Sequence, residues 1–134
     1  MTIFYRQDTE NITEENLKEL FLSVEWESAQ FPEKLLQAIK GSDEVIAAWD
    51  GDELIGLINA LSDGALTVYF HYVLTHPSYQ GKGIGKEMMD KMLDLYQGYQ
   101  TKMLVAYPNV VEFYGKIGFK TEEGNTPMYM KGKN

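Results

Sequence analysis

The chain has 134 residues, 44% of them hydrophobic and 13% aromatic, which suits one ordinary globular domain with a proper core rather than a disordered segment. Its formal charge of −8 argues against a nucleic-acid binder, which normally shows a basic face. With no cysteine there is no disulfide, no thiolate metal site and no cysteinyl acyl intermediate; no metal is expected, and any acyl transfer needs another nucleophile or a direct path.

In chain order, Ile3 to Gln7 alternates as a first strand. Thr13 is a plausible N-cap, with Glu14 and Glu15 in the first turn and Leu17, Leu20, Phe21 and Val24 at helical spacing after it. Pro32 opens a second helix, Pro32 to Ile39, that Gly41 closes. Val45 to Trp49 and Leu54 to Leu61 read as strands joined by the hairpin signal Asp50-Gly51-Asp52. Ser62-Asp63-Gly64 leads into an apolar, aromatic central strand, Leu66 to Thr75. Ile84, Met88, Met92 and Tyr96 give the next helix one apolar face, and Gly98 ends it. Lys102 to Tyr107 is a short apolar strand, Val110 to Ile117 a short helix, and Met128-Tyr129-Met130 a last strand. Antiparallel hairpins followed by helical crossovers imply an α/β fold of mixed α+β character, a mixed sheet with helices on both faces. A single domain over residues 1–134 is expected. No apolar run approaches the ~20 residues of a membrane span. Met1 to Arg6 also lacks the apolar core of a secretory signal, so no membrane partner and a cytosolic location are expected. The seven methionines read as core fillers.

Between the central strand and its following helix lies His76-Pro77-Ser78-Tyr79-Gln80-Gly81-Lys82-Gly83-Ile84-Gly85-Lys86. A strand that turns through alternating glycines into a helix gathers free N–H groups where the helix dipole is positive. The missing Cβ atoms let an anion come close, so the loop reads as a phosphate cradle. Spacing narrows the kind. A P-loop needs Gly-Lys-Ser/Thr, but Glu87 follows Gly85-Lys86 and Gln80 stands at the first glycine position. The dinucleotide fingerprint fails because Lys86 occupies the third glycine position.

Gln80-x-x-Gly83-x-Gly85 resembles the pyrophosphate loop of the GNAT-type N-acetyltransferases. Downstream, Pro108-Asn109 and the Phe113-Tyr114 pair followed by Gly118-Phe119 resemble a second hallmark of that family. Together the two segments span most of residues 66 to 119. The resemblance implies acetyl-CoA as cofactor, a GNAT-like sheet splayed between its fourth and fifth strands, and acyl-pantetheine pairing with backbone in the gap. It implies cofactor contacts from Val73, Leu74 and Thr75, from Gln80, Gly81, Lys82, Gly83, Ile84, Gly85 and Lys86, and from Asn109 and Tyr114. A backbone N–H near Val73 to Thr75 would polarise the acyl carbonyl.

Direct N-acetylation needs a neutral amine, a stabilised oxyanion and a proton for the leaving thiolate, with much of the rate coming from positioning. Tyr114, aligned with the family's Phe-Tyr pair, is the candidate general acid. Strand alternation sets Tyr69, His71 and Val73 on one face, and His71 has a suitable intrinsic pKa for the base. No carboxylate lies between Ala65 and Thr75, so a water-mediated route to the base is an alternative. His76 reads as a cap. At the end of the first helix, Glu25 and Trp26 offer a carboxylate and an aromatic plate to a cationic amine, with Tyr69 and His71 opposite. Ser23 to Trp26 and Ala60 to Gly64 also faintly resemble a subgroup that includes plastid-type serotonin acetyltransferases, over stretches too short to name the acceptor. The expected protein is an N-acetyltransferase acting on a small-molecule amine, monomeric or homodimeric. Acetylation of a protein lysine or N-terminus, or a silent acyl-CoA-binding module, are the alternatives.

Overall fold

The computed structural model describes residues 2–132. Thr13 starts the first helix as its sequence requires. Its hydroxyl accepts from the Asn16 N–H at 3.1 Å, and the Asn16 side-chain oxygen accepts from the Thr13 N–H at 3.1 Å, a reciprocal cap. Helix α1 (Glu14–Ser23) buries Leu17, Leu20 and Phe21. A 3-10 turn, Glu27–Gln30, leads to α2 (Pro32–Lys40), with Pro32 in its first turn and Gly41 at its C-cap.

Strands β1 (Ile3–Arg6), β2 (Glu44–Asp50), β3 (Glu53–Ser62), β4 (Thr67–Thr75) and β5 (Thr101–Met103) lie in one sheet in sequence order. The first three neighbouring pairs are antiparallel; β4 and β5 run parallel, joined by α3 (Ile84–Leu95). The short helix α4 (Val111–Ile117) follows. Helices cover both faces, as the order of periodic segments predicts. On one face Leu17, Phe21, Leu35 and Ile39 pack on Ala47, Trp49, Leu57 and Leu74. On the other, Ile84, Met88, Met89 and Met92 pack on Ile46, Ala48, Ile58 and Phe70. Gly56 fits that second contact: a Cβ there would stand 2.9 Å from the Met88 methyl carbon and 3.3 Å from Ala48 Cβ.

Three expectations are corrected. Helix α3 stops at Leu95 with Tyr96 as its cap, ahead of Gly98. The strand expected over Lys102 to Tyr107 pairs with β4 only at Thr67–Thr101, Val68–Lys102 and Tyr69–Met103, after which the two backbones part. The last strand, Met128 to Met130, does not form. Met128 is 89% exposed and Met130 fully so, and the run Gly124-Asn125-Thr126-Pro127 before it removes a ladder donor and interrupts extended pairing.

Candidate active site

The parting of β4 and β5 opens a cleft of about 1260 Å3. Its cofactor-side wall is the end of β4 and the loop into α3. Gln80 folds back so that its side-chain amide donates to the Thr75 carbonyl at 3.0 Å, and the Tyr79 hydroxyl donates to Asp50 at 2.6 Å, tying the loop to the sheet. Gly81 and Gly83 hold φ of +78° and +82°, a region other residues rarely adopt, and a Cβ on either would meet nothing within 4 Å. Both glycines line the cleft, so the open space beside them is the space a ligand would fill. Glu87 is the first amide of α3 to reach a carbonyl, that of Gly83 at 3.0 Å; the free N–H groups of the turn before it are what a phosphate requires. The residues therefore fit a pyrophosphate. Ile84, Gly85 and Lys86 also line the cleft, whereas Lys82 is exposed outside it. Lys86 is held by Asp90 at 2.7 Å, a contact that raises the pKa of its ammonium.

Across the gap, Asn109 sits in a 3-10 turn, Pro108–Val110, and Tyr114 on α4; both line the cleft. Tyr114 is 9% exposed and packs edge-on against Phe113 and Phe119, with ring centroids 5.1 and 6.0 Å away. Among the described residues its hydroxyl has no hydrogen-bond partner. Burial pushes its pKa up to about 12, so the phenol holds its proton.

Between these walls β4 carries a bulge that the alternation rule does not foresee. Ile58 pairs with Val73 and Ala60 with Phe70, so Asn59 alone stands opposite both His71 and Tyr72. Asn59 is 1% exposed and fully engaged. Its side-chain oxygen accepts from the Tyr72 N–H at 2.7 Å, and its side-chain amide donates to the Ser42 hydroxyl at 3.0 Å. Ser42 in turn donates to the Ala38 carbonyl at 2.9 Å. The extra residue reverses the alternation. Val73 packs with the α3 core, away from the expected face, while Tyr72 packs with the α1 and α2 core. His71 stacks between Tyr72, at 4.1 Å, and Tyr69, at 5.5 Å. Loss of water around its ring, and then the nearby Lys131 charge, hold its pKa below the usual imidazole range.

The far end of the cleft is aromatic. Trp26 lies 6.1 Å from Tyr72 and 6.4 Å from Tyr107, and Phe21 meets both Trp26 and Tyr72 edge-on from beneath. The Ser28 and Tyr72 hydroxyls share a hydrogen bond of 2.9 Å. Glu25 stands out: its φ of +59° is the one positive value at a non-glycine among the described residues. It occupies the position where a helix usually ends on glycine. Its N–H donates to the Leu22 carbonyl at 2.9 Å and the Trp26 N–H to Phe21 at 3.1 Å, the paired bonds of a Schellman motif. The Trp26 and Phe21 rings supply the apolar contact that accompanies that motif.

One cleft thus gathers Glu25 and Trp26, Tyr69 and His71, Val73 to Thr75, the glycine loop, Asn109 and Tyr114; of the residues expected there, Lys82 stays outside. Sequence reading missed Ser28, which the bend after α1 brings in, Tyr72, which the bulge brings in, Tyr107 in the segment after β5, and Tyr129 and Lys131 at the rim. Of these only Tyr72 had a signal, the density of aromatic residues in β4. His76 caps its turn as expected, its Nδ1 accepting from the Ser78 N–H at 3.1 Å.

Residues 9–132 match the acetyltransferase (GNAT) domain family. The uncharacterized N-acetyltransferase ycf52 of Porphyra purpurea is 31% identical over 132 residues, covering 93% of this chain and 75% of the relative. A serotonin N-acetyltransferase 2, chloroplastic, of Oryza sativa is 31% identical over 109 residues, covering 77% of this chain and 54% of its own. Among solved structures, a GNAT-family acetyltransferase of Streptococcus pneumoniae superposes with a TM-score of 0.84 at 27% identity, covering 99% of this chain and all of that one.

Proposed function

The chain belongs to the GNAT acetyltransferase family and is an enzyme that takes its acetyl group from acetyl-CoA, and on that premise we propose a small-molecule primary amine as acceptor, acetylated by direct transfer in a ternary complex. The observation that carries this reading is the meeting, in one cleft, of a glycine cradle, a protonated phenol, an imidazole and an aromatic pocket with a carboxylate. Acetyl-CoA supplies the activated acyl group. The amides from Gly81 to Lys86 would hold its pyrophosphate, with Gln80 fixing the loop and Asn109 flanking from the opposite wall. Backbone N–H groups of Val73 and Thr75, which face the open edge of β4, would receive the acyl arm, while the Leu74 N–H points into the ladder with β3.

At the acceptor end, Glu25 pairs with the incoming ammonium and Trp26, Tyr69 and Tyr72 flank its carbon skeleton. His71, neutral at physiological pH because its pKa is depressed, takes the proton that the amine must lose. Tyr114, kept protonated by burial, returns a proton to the departing thiolate. Held against the same walls, that thiolate would lose solvation and become a stronger base. An acetylation screen over small amines, lysine peptides and N-terminal peptides, read by release of free CoA thiol, tests the assignment. Turnover concentrated on compact aromatic or alkyl amines is expected. Turnover confined to peptides would overturn the acceptor class and leave the acetyl donor unchanged.

A further inference from the structure

Lys131 stands at the rim of the acceptor end, on a stretch without regular secondary structure that runs from Gly118 to Gly132. Its Nζ lies over the Tyr129 ring, 5.4 Å from the centroid, and its charge is felt at His71. The other lysine lining the cleft, Lys86, is held by Asp90 at the cofactor end, and Lys91 and Lys116 are paired with Glu87 and Glu112. No carboxylate holds Lys131 among the described residues. A primary amine that no described carboxylate holds, lining the same cleft as the imidazole assigned as base, satisfies the requirements of an acceptor.

We propose that Lys131 is an internal acceptor and that the enzyme acetylates this side chain on its own chain. The inference rests on the roles given above to His71 and Tyr114. The neutral Lys131 Nζ attacks the thioester carbonyl carbon, forming an N–C bond as the C–S bond breaks. His71 takes the amine proton and Tyr114 protonates the thiolate, so the products are Nε-acetyl-Lys131 and free CoA. No further reactant is required. The modification removes the one lysine charge at the acceptor rim and leaves an amide over the Tyr129 ring, so it changes what a cationic amine meets on approach.

The test uses the full chain. CoA without an acetyl group should shield Lys131 from an amine-reactive label while the exposed Lys18 and Lys120 label as before. With acetyl-CoA, peptide mass spectrometry should find the acetyl group on Lys131 at roughly tenfold or more the occupancy of any other lysine, the least expected of an amine held beside its donor. The half-time should not change on dilution of the protein, and occupancy should fall in Tyr114→Phe as transfer to an added amine falls. Even labelling across the lysines that persists in Gly83→Val would be chemical acetylation and would overturn the proposal, as would a rate that scales with protein concentration. Turnover of an added amine with Lys131 unmodified overturns it too, and leaves the proposed function standing. If neither is acetylated, both readings fail together.

Discussion

Glu25→Gly should make the protein more stable and a worse enzyme at once. Glu25 holds a left-handed φ of +59° at the close of α1, where a side chain costs about 1–2 kcal/mol relative to glycine. Glycine returns about 0.5–1 kcal/mol of that through the greater entropy of the unfolded chain, which leaves a net gain of roughly 0.5–1 kcal/mol. For 134 residues the unfolding entropy is about 0.28 kcal/mol/K, so Tm should rise by about 2–4 °C. The lost carboxylate–ammonium contact is partly exposed and worth about 1 kcal/mol, roughly fivefold in amine KM. Glu25→Gln separates the two effects: it keeps the strained backbone, so Tm should stay put while KM rises as it does for glycine. Thermal melts and amine kinetics at saturating acetyl-CoA read both quantities. A lower Tm for Glu25→Gly, or an unchanged KM for Glu25→Gln, would refute the reasoning; the strain would then serve packing alone.

Tyr114→Phe keeps the ring among Phe113 and Phe119 and removes the proton, so kcat should fall about a hundredfold with little change in CoA affinity. His71 has a lowered pKa and must be neutral to act, so the acid limb of the kcat/KM profile should lie below the usual imidazole range, about pH 6.5, with a plateau above it. In His71→Gln that limb should vanish and the remaining rate be low; an unmoved limb would assign the titration to another group. Asn59→Leu leaves the Tyr72 N–H buried without an acceptor and should cost about 1–3 kcal/mol in urea melts. The amine KM should rise with it as Tyr72 loosens, and native stability in that variant would mean that the bulge holds itself.

Much of this architecture was legible because its signals are local. Thr13 with Glu14 and Glu15, Pro32 with Gly41, and the methionine face of α3 each follow from side chains within a few turns of chain. The glycine loop was legible for the same reason, since spacing along one segment fixes which amides converge. The bulge at His71 and Tyr72 was not. It depends on Asn59, a residue on the neighbouring strand, accepting one amide out of register, and nothing in the spacing of β4 announces that partner. Period-two alternation therefore put Val73 on the wrong face and left Tyr72 out of the site. The strain at Glu25 was hidden for a related reason: the end of the first helix at Glu25 and Trp26 is legible, but its left-handed turn is set by backbone bonds to Leu22 and Phe21 that no glycine announces. The final strand failed because its apolar residues were counted and Gly124, Asn125 and Pro127 before them were not.

The short reach of β5 ties the lifetime of this protein to its metabolic surroundings. Among the described residues no strand lies beside the outer edge of β4 beyond Tyr69, and an unpaired edge invites pairing with another chain. An acyl-pantetheine arm lying in the gap would fill that edge, and occupancy would then add to the folding free energy: at a ligand concentration about a hundred times Kd the gain is about 2.7 kcal/mol. A cell depleted of CoA would then hold an idle enzyme that is also more readily opened, aggregated or degraded. Steady-state abundance would follow CoA supply without any change in synthesis.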